Sequence, residues 1–309
     1  MKHASAFLRF SRIVLVTVLL VILAGAVVRT TQSGMGCPDW PTCFGKWIPP
    51  TSAEELPPDF ERYLRQQDID HTFNAFHTWT EYLNRLLGAL LGLLVFIQFV
   101  WSFFRFRKKR PLIIWCCLLM LLLTGFQGWL GKKVVDANLA PLKVTLHLFG
   151  ALAILALALF IVYLLHQGKA AANKLVARVA TLALLLLLVQ MLMGTAVRSQ
   201  IDVIAKSLDY GYRDLWIGKL NHWFYIHRSF SIVVTALCVY QFWIYRKYFG
   251  KSLSNQLLLV GVAYTVAAGV VMTYFYVPAW AQPAHLLFSA LLFAALIYNA
   301  LTASRVCKT

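Results

Sequence analysis

Three of the eight histidines stand where charged or titratable side chains are rare. His147, His227 and His285 each fall inside a long apolar run, and ionisable residues in such runs usually mark function. His147 and His227 lie about seven residues from the outer end of their runs, roughly 10 Å at 1.5 Å per residue. His285 lies at a similar or shallower level, just after Pro283. Two imidazoles facing each other across a helix bundle can bracket a haem iron. A pair of hydrogen-bonded structural histidines is the alternative use of the same residues.

The surroundings of these histidines recur. Leu23-Ala24-Gly25-Ala26-Val27-Val28-Arg29-Thr30 ends the first apolar run, and Leu192-Met193-Gly194-Thr195-Ala196-Val197-Arg198-Ser199 ends the fifth. Glu81-Tyr82-Leu83-Asn84-Arg85 in the second run matches Phe224-Tyr225-Ile226-His227-Arg228 in the sixth, and His147-Leu148 in the fourth matches His285-Leu286 in the eighth. Three matches in one order describe an internal repeat. The halves are chemically unequal. The C-terminal half offers two imidazoles, His227 and His285, whereas the N-terminal half offers His147 and has Asn84 where the second would stand. An amide is a poor ligand for haem iron, so the N-terminal half is expected to leave an iron position open. Closed and open iron sites separate electron transfer from substrate chemistry.

Glu81 is the only acid inside any apolar run and lies one helical turn from Asn84 and Arg85. Two readings fit it: an ion pair with Arg85, or a carboxylate beside an open site that handles a proton or stabilises positive charge. Arg29, Arg198, Arg85 and Arg228 stand near the ligand positions and could pair with haem propionates; snorkelling to headgroups is the other use of Arg29 and Arg198.

These residues must be held by membrane helices. Of the 309 residues, 60% are hydrophobic and 13% charged, against roughly 25% charged in soluble domains. That excludes disordered, collagenous and disulfide-scaffold chains and argues against a soluble globule. Eight runs, at about 11–31, 77–103, 112–131, 140–165, 176–197, 220–245, 256–277 and 281–303, are long enough to cross a bilayer. They are long and continuous rather than alternating, so helices and not barrel strands are predicted. The expected fold is an all-α membrane protein: two tandem four-helix bundles, 1–170 and 171–309, related by a pseudo-twofold axis near the membrane normal.

The net charge of +17 would suggest nucleic acid in a soluble protein, but its distribution follows the membrane instead. One face collects Lys2, Arg9, Arg12, Arg105, Arg107, Lys108, Lys109, Arg110, Lys169, Lys174, Arg178, Arg246, Lys247, Lys251, Arg305 and Lys308 without one acid. The positive-inside rule makes that face cytoplasmic and places both termini there. The first run lacks a small-residue cleavage site and no transit-like extension precedes it, so a bacterial inner membrane is expected.

Cys37 and Cys43 frame Cys37-Pro38-Asp39-Trp40-Pro41-Thr42-Cys43 in the outer loop 32–76, which carries more acids than bases. An outer compartment permits a disulfide there, and the loop offers too few ligands for a metal. Cys116, Cys117, Cys238 and Cys307 are expected to be unpaired. His3, His71, His77, His166 and His222 read as solvated or interfacial.

The residues resemble the haem A synthase family, the haem-modifying cytochrome oxidase assembly proteins of bacteria and mitochondria. The resemblance covers nearly the whole chain. It is carried by Gly25…Arg29…Ser33-Gly34, Gly36-Cys37-Pro38-Asp39-Trp40-Pro41-Thr42-Cys43, Glu81-x-x-x-Arg85, Gln127…Gly131, His147, Gly194…Arg198, His227-Arg228 and His285. It implies eight helices in two similar halves, with a haem b cofactor on His227 and His285 of the C-terminal half. It implies haem O as substrate on His147 of the N-terminal half, with Glu81 as the family's essential acid. The product would be haem A, made by oxidising a ring methyl to a formyl group through successive hydroxylations with oxygen from water. The family commonly has histidine where Asn84 stands. Haem O synthase and cytochrome oxidase assembly factors are the implied protein partners, with no nucleic acid, and an oligomer is left open. A membrane di-haem cytochrome b-type carrier or quinol oxidoreductase would use the same histidines but has little use for Glu81. A transporter would use the repeat without haem.

Overall fold

The computed structural model describes residues 2–61, 63, 73–166 and 172–304. His71, Lys169, Arg305, Cys307 and Lys308 lie outside the described residues. Among the described residues there are eight long α-helices: α1 (Lys2–Thr30), α2 (Ala75–Phe106), α3 (Pro111–Val135), α4 (Pro141–Leu165), α5 (Lys174–Ser207), α6 (His222–Phe249), α7 (Leu253–Tyr274) and α8 (Ala281–Ala303). All eight are long and apolar enough to span a bilayer. The protein is a multi-pass helical membrane protein, as the apolar runs predict.

Helix ends follow local chemistry. Asn74, Asn173 and Asn221 cap α2, α5 and α6 by accepting a backbone N–H with the side-chain oxygen, and Ser252 does the same for α7. Pro111 opens α3 at a position whose N–H would be unused anyway. Large apolar side chains such as Leu93, Phe96, Leu122, Leu185, Ile232 and Tyr264 lie exposed along the helices. In water such a surface would aggregate, but in lipid it faces a solvent as apolar as itself.

The chain divides into two compact units, Met1–Ile161 and Val162–Thr309. In unit 1, Phe7 of α1 sits edge-on against Trp101 and Phe106 of α2, with centroids 5.4 and 5.1 Å apart. Deep in that unit Gln98 Nε2 donates to Ser11 Oγ at 2.9 Å, tying α2 to α1. In unit 2, Ser254 Oγ donates to Asn299 Oδ1 at 2.7 Å and Asn255 Nδ2 to the Phe242 carbonyl at 3.0 Å, so α6, α7 and α8 share a buried polar knot. Hydrogen bonds between helices supply cohesion that the hydrophobic effect cannot provide in lipid.

α5 extends well past its apolar run. The fifth apolar run ends near residue 197, yet α5 continues to Ser207. Its extension is amphipathic: Val197, Ile201 and Ala205 are buried against Trp216, Leu220, Phe224 and Val277. Burial of one stripe replaces membrane hydropathy as the reason to stay helical. The helix of the sixth run starts two residues later than expected, because Asn221 caps α6; His227 therefore lies less than two turns inside its helix.

Candidate functional site

The Cys37–Cys43 disulfide is formed, and the loop it closes is fastened to the first turns of α2. The loop is self-structured. The Asp39 carboxylate accepts from the backbone N–H of Phe44 at 2.6 Å and of Gly45 at 3.0 Å, and from the Thr42 hydroxyl. Cys43 and Lys46 exchange backbone hydrogen bonds of 2.9 and 3.1 Å. The two residues between them, Phe44 and Gly45, both have positive φ, 54° and 73°, as a tight two-residue hairpin requires.

Arg85 joins this loop to α2. Its Nη1 donates to the carbonyls of Asp39 (2.6 Å) and Thr42 (3.2 Å), and its Nη2 to that of Cys37 (2.7 Å). Nε and Nη2 also donate to Glu81 Oε1, at 3.1 and 2.5 Å. All five guanidinium N–H groups are thereby used. Glu81 is only 4% exposed, and its second oxygen, Oε2, accepts from the Cys37 N–H at 2.8 Å. The ion-pair reading of Glu81 is thus realised, with a tie to the loop that the sequence did not announce. Of the Arg85 donors, three go to loop carbonyls and two to Glu81. Gly36 explains how the loop comes so close, because a Cβ there would collide with the backbone of His77 and Thr78. Thr78 Oγ1 donates to the Gly36 carbonyl at 2.9 Å, Trp79 Nε1 to that of Pro50 at 3.2 Å and the Tyr82 hydroxyl to that of Trp47 at 2.6 Å.

Each intramembrane histidine lies against a glycine of the neighbouring helix. A Cβ built on Gly131 of α3 would stand 3.4 Å from His147 Cε1, one on Gly194 of α5 3.2 Å from His227 Cε1, and one on Gly269 of α7 3.7 Å from His285 Cε1. The missing side chains let a flat ring lie along the adjacent backbone. Gly269 did not emerge from the sequence, although Gly131 precedes His147 by the same interval as Gly269 precedes His285. The Nδ1 atoms of His147 and His227 are buried with no hydrogen-bond partner in the protein. His285 Nδ1 lies 2.9 Å from the Thr265 carbonyl.

The remaining expected residues have mixed positions. Asn84, on the Glu81 and Arg85 face of α2, has its Oδ1 buried without a partner, and so does Gln127 Oε1 of α3. Gln127 fills the space beside Gly150 of α4, one turn along from the Gly131–His147 contact. Arg198 bonds Gln282 of α8 and pairs with Asp202 at 2.8 Å. Arg228 is exposed and lies over the rings of Phe224 and Tyr225, at 5.7 and 5.5 Å. Arg29 is half-buried in the last turn of α1. His77 serves at the start of α2, where its backbone N–H donates to Asn74 at 3.2 Å. Among the described residues, no three His, Cys, Asp or Glu side chains cluster as they would around a bare metal ion.

A buried ring nitrogen lacking any partner is costly in an apolar interior. Rings seated on glycines fit a flat ligand whose iron takes imidazole nitrogen, and the buried amide oxygens of Asn84 and Gln127 are acceptors for a donor on such a ligand. The fold and the site together define a multi-pass helical membrane protein whose apolar interior is equipped with imidazoles.

Comparison with known proteins narrows that class. A family model described as cytochrome oxidase assembly protein (COX15-CtaA) matches residues 9–297, and the chain belongs to that family. It is similar to the heme A synthase of Shewanella oneidensis, 37% identical over 185 residues, which are 58% of this chain and 52% of that protein. The chain thus spans about half the length of that curated relative. It is also similar to the heme A synthases of Flavobacterium johnsoniae, 25% identical over 300 residues with 85% and 87% of the two chains covered, and of Methylorubrum extorquens, 28% identical over 311 residues with 89% and 80% covered.

Proposed function

We propose that this chain is a haem A synthase, an oxidoreductase that converts a ring methyl of haem O into the formyl group of haem A for cytochrome oxidase assembly. Family membership supports the class. The observation that carries the assignment of roles is the unequal sharing of seated imidazoles: His227 and His285 in unit 2, His147 alone in unit 1.

On this reading the two units are versions of one four-helix repeat. Unit 2 would hold the resident haem b through His227 and His285, with Arg198 and Arg228 near its propionates. A haem held by His227 and His285 would supply one-electron redox chemistry. The Thr265 carbonyl takes the Nδ1–H of His285 and so leaves the Nε2 lone pair for iron, the usual way an outer partner fixes a ligand's tautomer. Unit 1 would receive haem O on His147, with Asn84, Gln127 and Arg29 as its polar neighbours and water as the proposed oxygen source. Glu81 stands one turn from Asn84 as a fixed anion, held by Arg85 and the Cys37 N–H. A carboxylate so held needs no reorganisation to stabilise positive charge appearing on the substrate carbon.

The test is co-expression with a source of haem O, followed by chromatography of the extracted haems. Haem A, or its hydroxylated precursor, is the expected product. Haem b with unaltered haem O would instead favour a di-haem electron carrier, and a colourless protein a transporter.

The chain is proposed to lie in a bacterial inner membrane with both termini cytoplasmic, so that the disulfide loop faces outward. A membrane-impermeant maleimide applied to intact cells is expected to label Cys37 and Cys43 only after reduction. Labelling from the cytoplasmic side alone would invert the topology.

A further inference from the structure

Gln190 of α5 is buried, and its Nε2 donates to the backbone carbonyl of His227 at 2.9 Å. One turn further along the same face of α5, Gly194 seats the His227 ring, whose Cε1 lies 3.2 Å from the position of a Cβ. One residue of α6 is thus held at two points by a single neighbouring helix, through its backbone and through its ring. α7 holds His285 of α8 by a pair with the same spacing. The Thr265 carbonyl lies 2.9 Å from its Nδ1, and Gly269, four residues on, faces its ring at 3.7 Å. Ser289 Oγ also donates to the His285 carbonyl, at 2.7 Å. The repeat keeps the glycines in unit 1 but not the second hold. In the register that matches Gly194 with Gly25, Gln190 corresponds to Val21; in the register that matches His285 with His147, Ser289 corresponds to Ala151. Neither side chain can donate a hydrogen bond. Gln127 corresponds to Thr265, but its amide lies beside Gly150.

We propose that Gln190 is a positioning residue for His227: its amide fixes the height of α6 against α5, and so the angle at which the imidazole meets the iron of the haem in unit 2. The inference rests on the reading of His227 and His285 as the axial ligands of that haem. In lipid no hydrophobic drive sets the register of two helices, so packing and hydrogen bonds between them must. A glycine seat is smooth and permits sliding, whereas an N–H···O bond is directional. A carbonyl has two lone pairs and the helix ladder uses one, so Gln190 bonds His227 without breaking α6. Partners that orient a metal ligand tune both its affinity and the electronic character of the metal. Unit 2 is therefore built to keep a resident haem. Unit 1 lacks these holds, as suits a haem that arrives as substrate and leaves as product.

Gln190→Met keeps an unbranched, flexible side chain and removes the donor. In the purified full-length protein loaded with haem, the low-spin resonance signal of the His227–His285 haem is expected to shift. Affinity for that haem, measured by competition with an apo-globin, is expected to fall about tenfold, the lower end for outer partners of a metal ligand. Asn255→Leu is the control. It removes another side-chain amide that donates to a carbonyl of α6, that of Phe242 at 3.0 Å, roughly 22 Å along the helix from His227 at 1.5 Å per residue. It is expected to lower the melting temperature as Gln190→Met does and to leave the resonance signal where it was. Gln190→Asn, whose amide is one methylene too short to reach, is expected to shift the signal in the same way and keeps the test decisive if Gln190→Met fails to fold. A signal unmoved by either Gln190 variant, or a shift shared by Asn255→Leu, would overturn the role of Gln190 while leaving both ligands in place. A low-spin signal that survives His227→Ala and His285→Ala would overturn the reading of unit 2, and this proposal with it.

Discussion

His227→Ala and His285→Ala are each expected to reduce the haem b retained through purification by at least about tenfold, since even outer-shell changes at a metal ligand cost ten- to a hundredfold. His147→Ala is expected to leave that haem in place. The substitutions should spare the helices, because alanine is the best helix former and each ring lies against a glycine of the neighbouring helix. What is lost is the nitrogen. Gly194→Leu gives an independent check. A side chain at that position starts 3.2 Å from the His227 ring and must push it away, so haem b should fall although both histidines remain. Pyridine haemochrome analysis of each variant measures the outcome. Equal loss from all three histidine variants would contradict the division of roles between the units.

The fold was legible wherever one physical signal acted alone. A bilayer demands a continuous apolar run for each helix, and each of the eight runs became a helix among the described residues. The signal failed at the end of α5, where the helix leaves apolar surroundings and is kept by packing Val197, Ile201 and Ala205 on Trp216 and Val277. Hydropathy is blind to that stripe, although its spacing was available. The histidines were legible because a titratable group in an apolar run is conspicuous. Their glycine seats were not, since a glycine in a membrane helix is common and its neighbour across the helix interface is a tertiary fact. Arg85 shows the limit most clearly. Its distance from Glu81 suggested the ion pair correctly, but three of its five hydrogen bonds go to carbonyls more than forty residues earlier in the chain. A backbone carbonyl has no sequence signature, so nothing near Arg85 could reveal it.

Glu81→Gln is expected to cut haem A output at least about a hundredfold, the scale at which positioned acids and bases contribute, while haem b in unit 2 is retained. The geometry says why an amide of the same shape cannot substitute. Glu81 accepts on both oxygens: the Cys37 N–H on Oε2, and two donors of Arg85 on Oε1. Glutamine offers one oxygen and one NH2 group. Whichever way it turns, an N–H meets an N–H, and a buried donor left unsatisfied costs about 1–3 kcal/mol. The variant therefore loses the negative charge and loosens the disulfide loop together. Arg85→Lys separates the two effects. It keeps the Glu81 carboxylate but replaces five forked donors with three on a flexible stem, so the loop loses its anchor while the charge stays. If the charge on Glu81 acts on the substrate, Arg85→Lys should retain most of the output that Glu81→Gln loses. If Glu81 acts only by seating the loop, the two variants should fall together and both should expose the Cys37–Cys43 bond to reductant. Full haem A output from Glu81→Gln would leave Glu81 as nothing more than the counter-ion of Arg85.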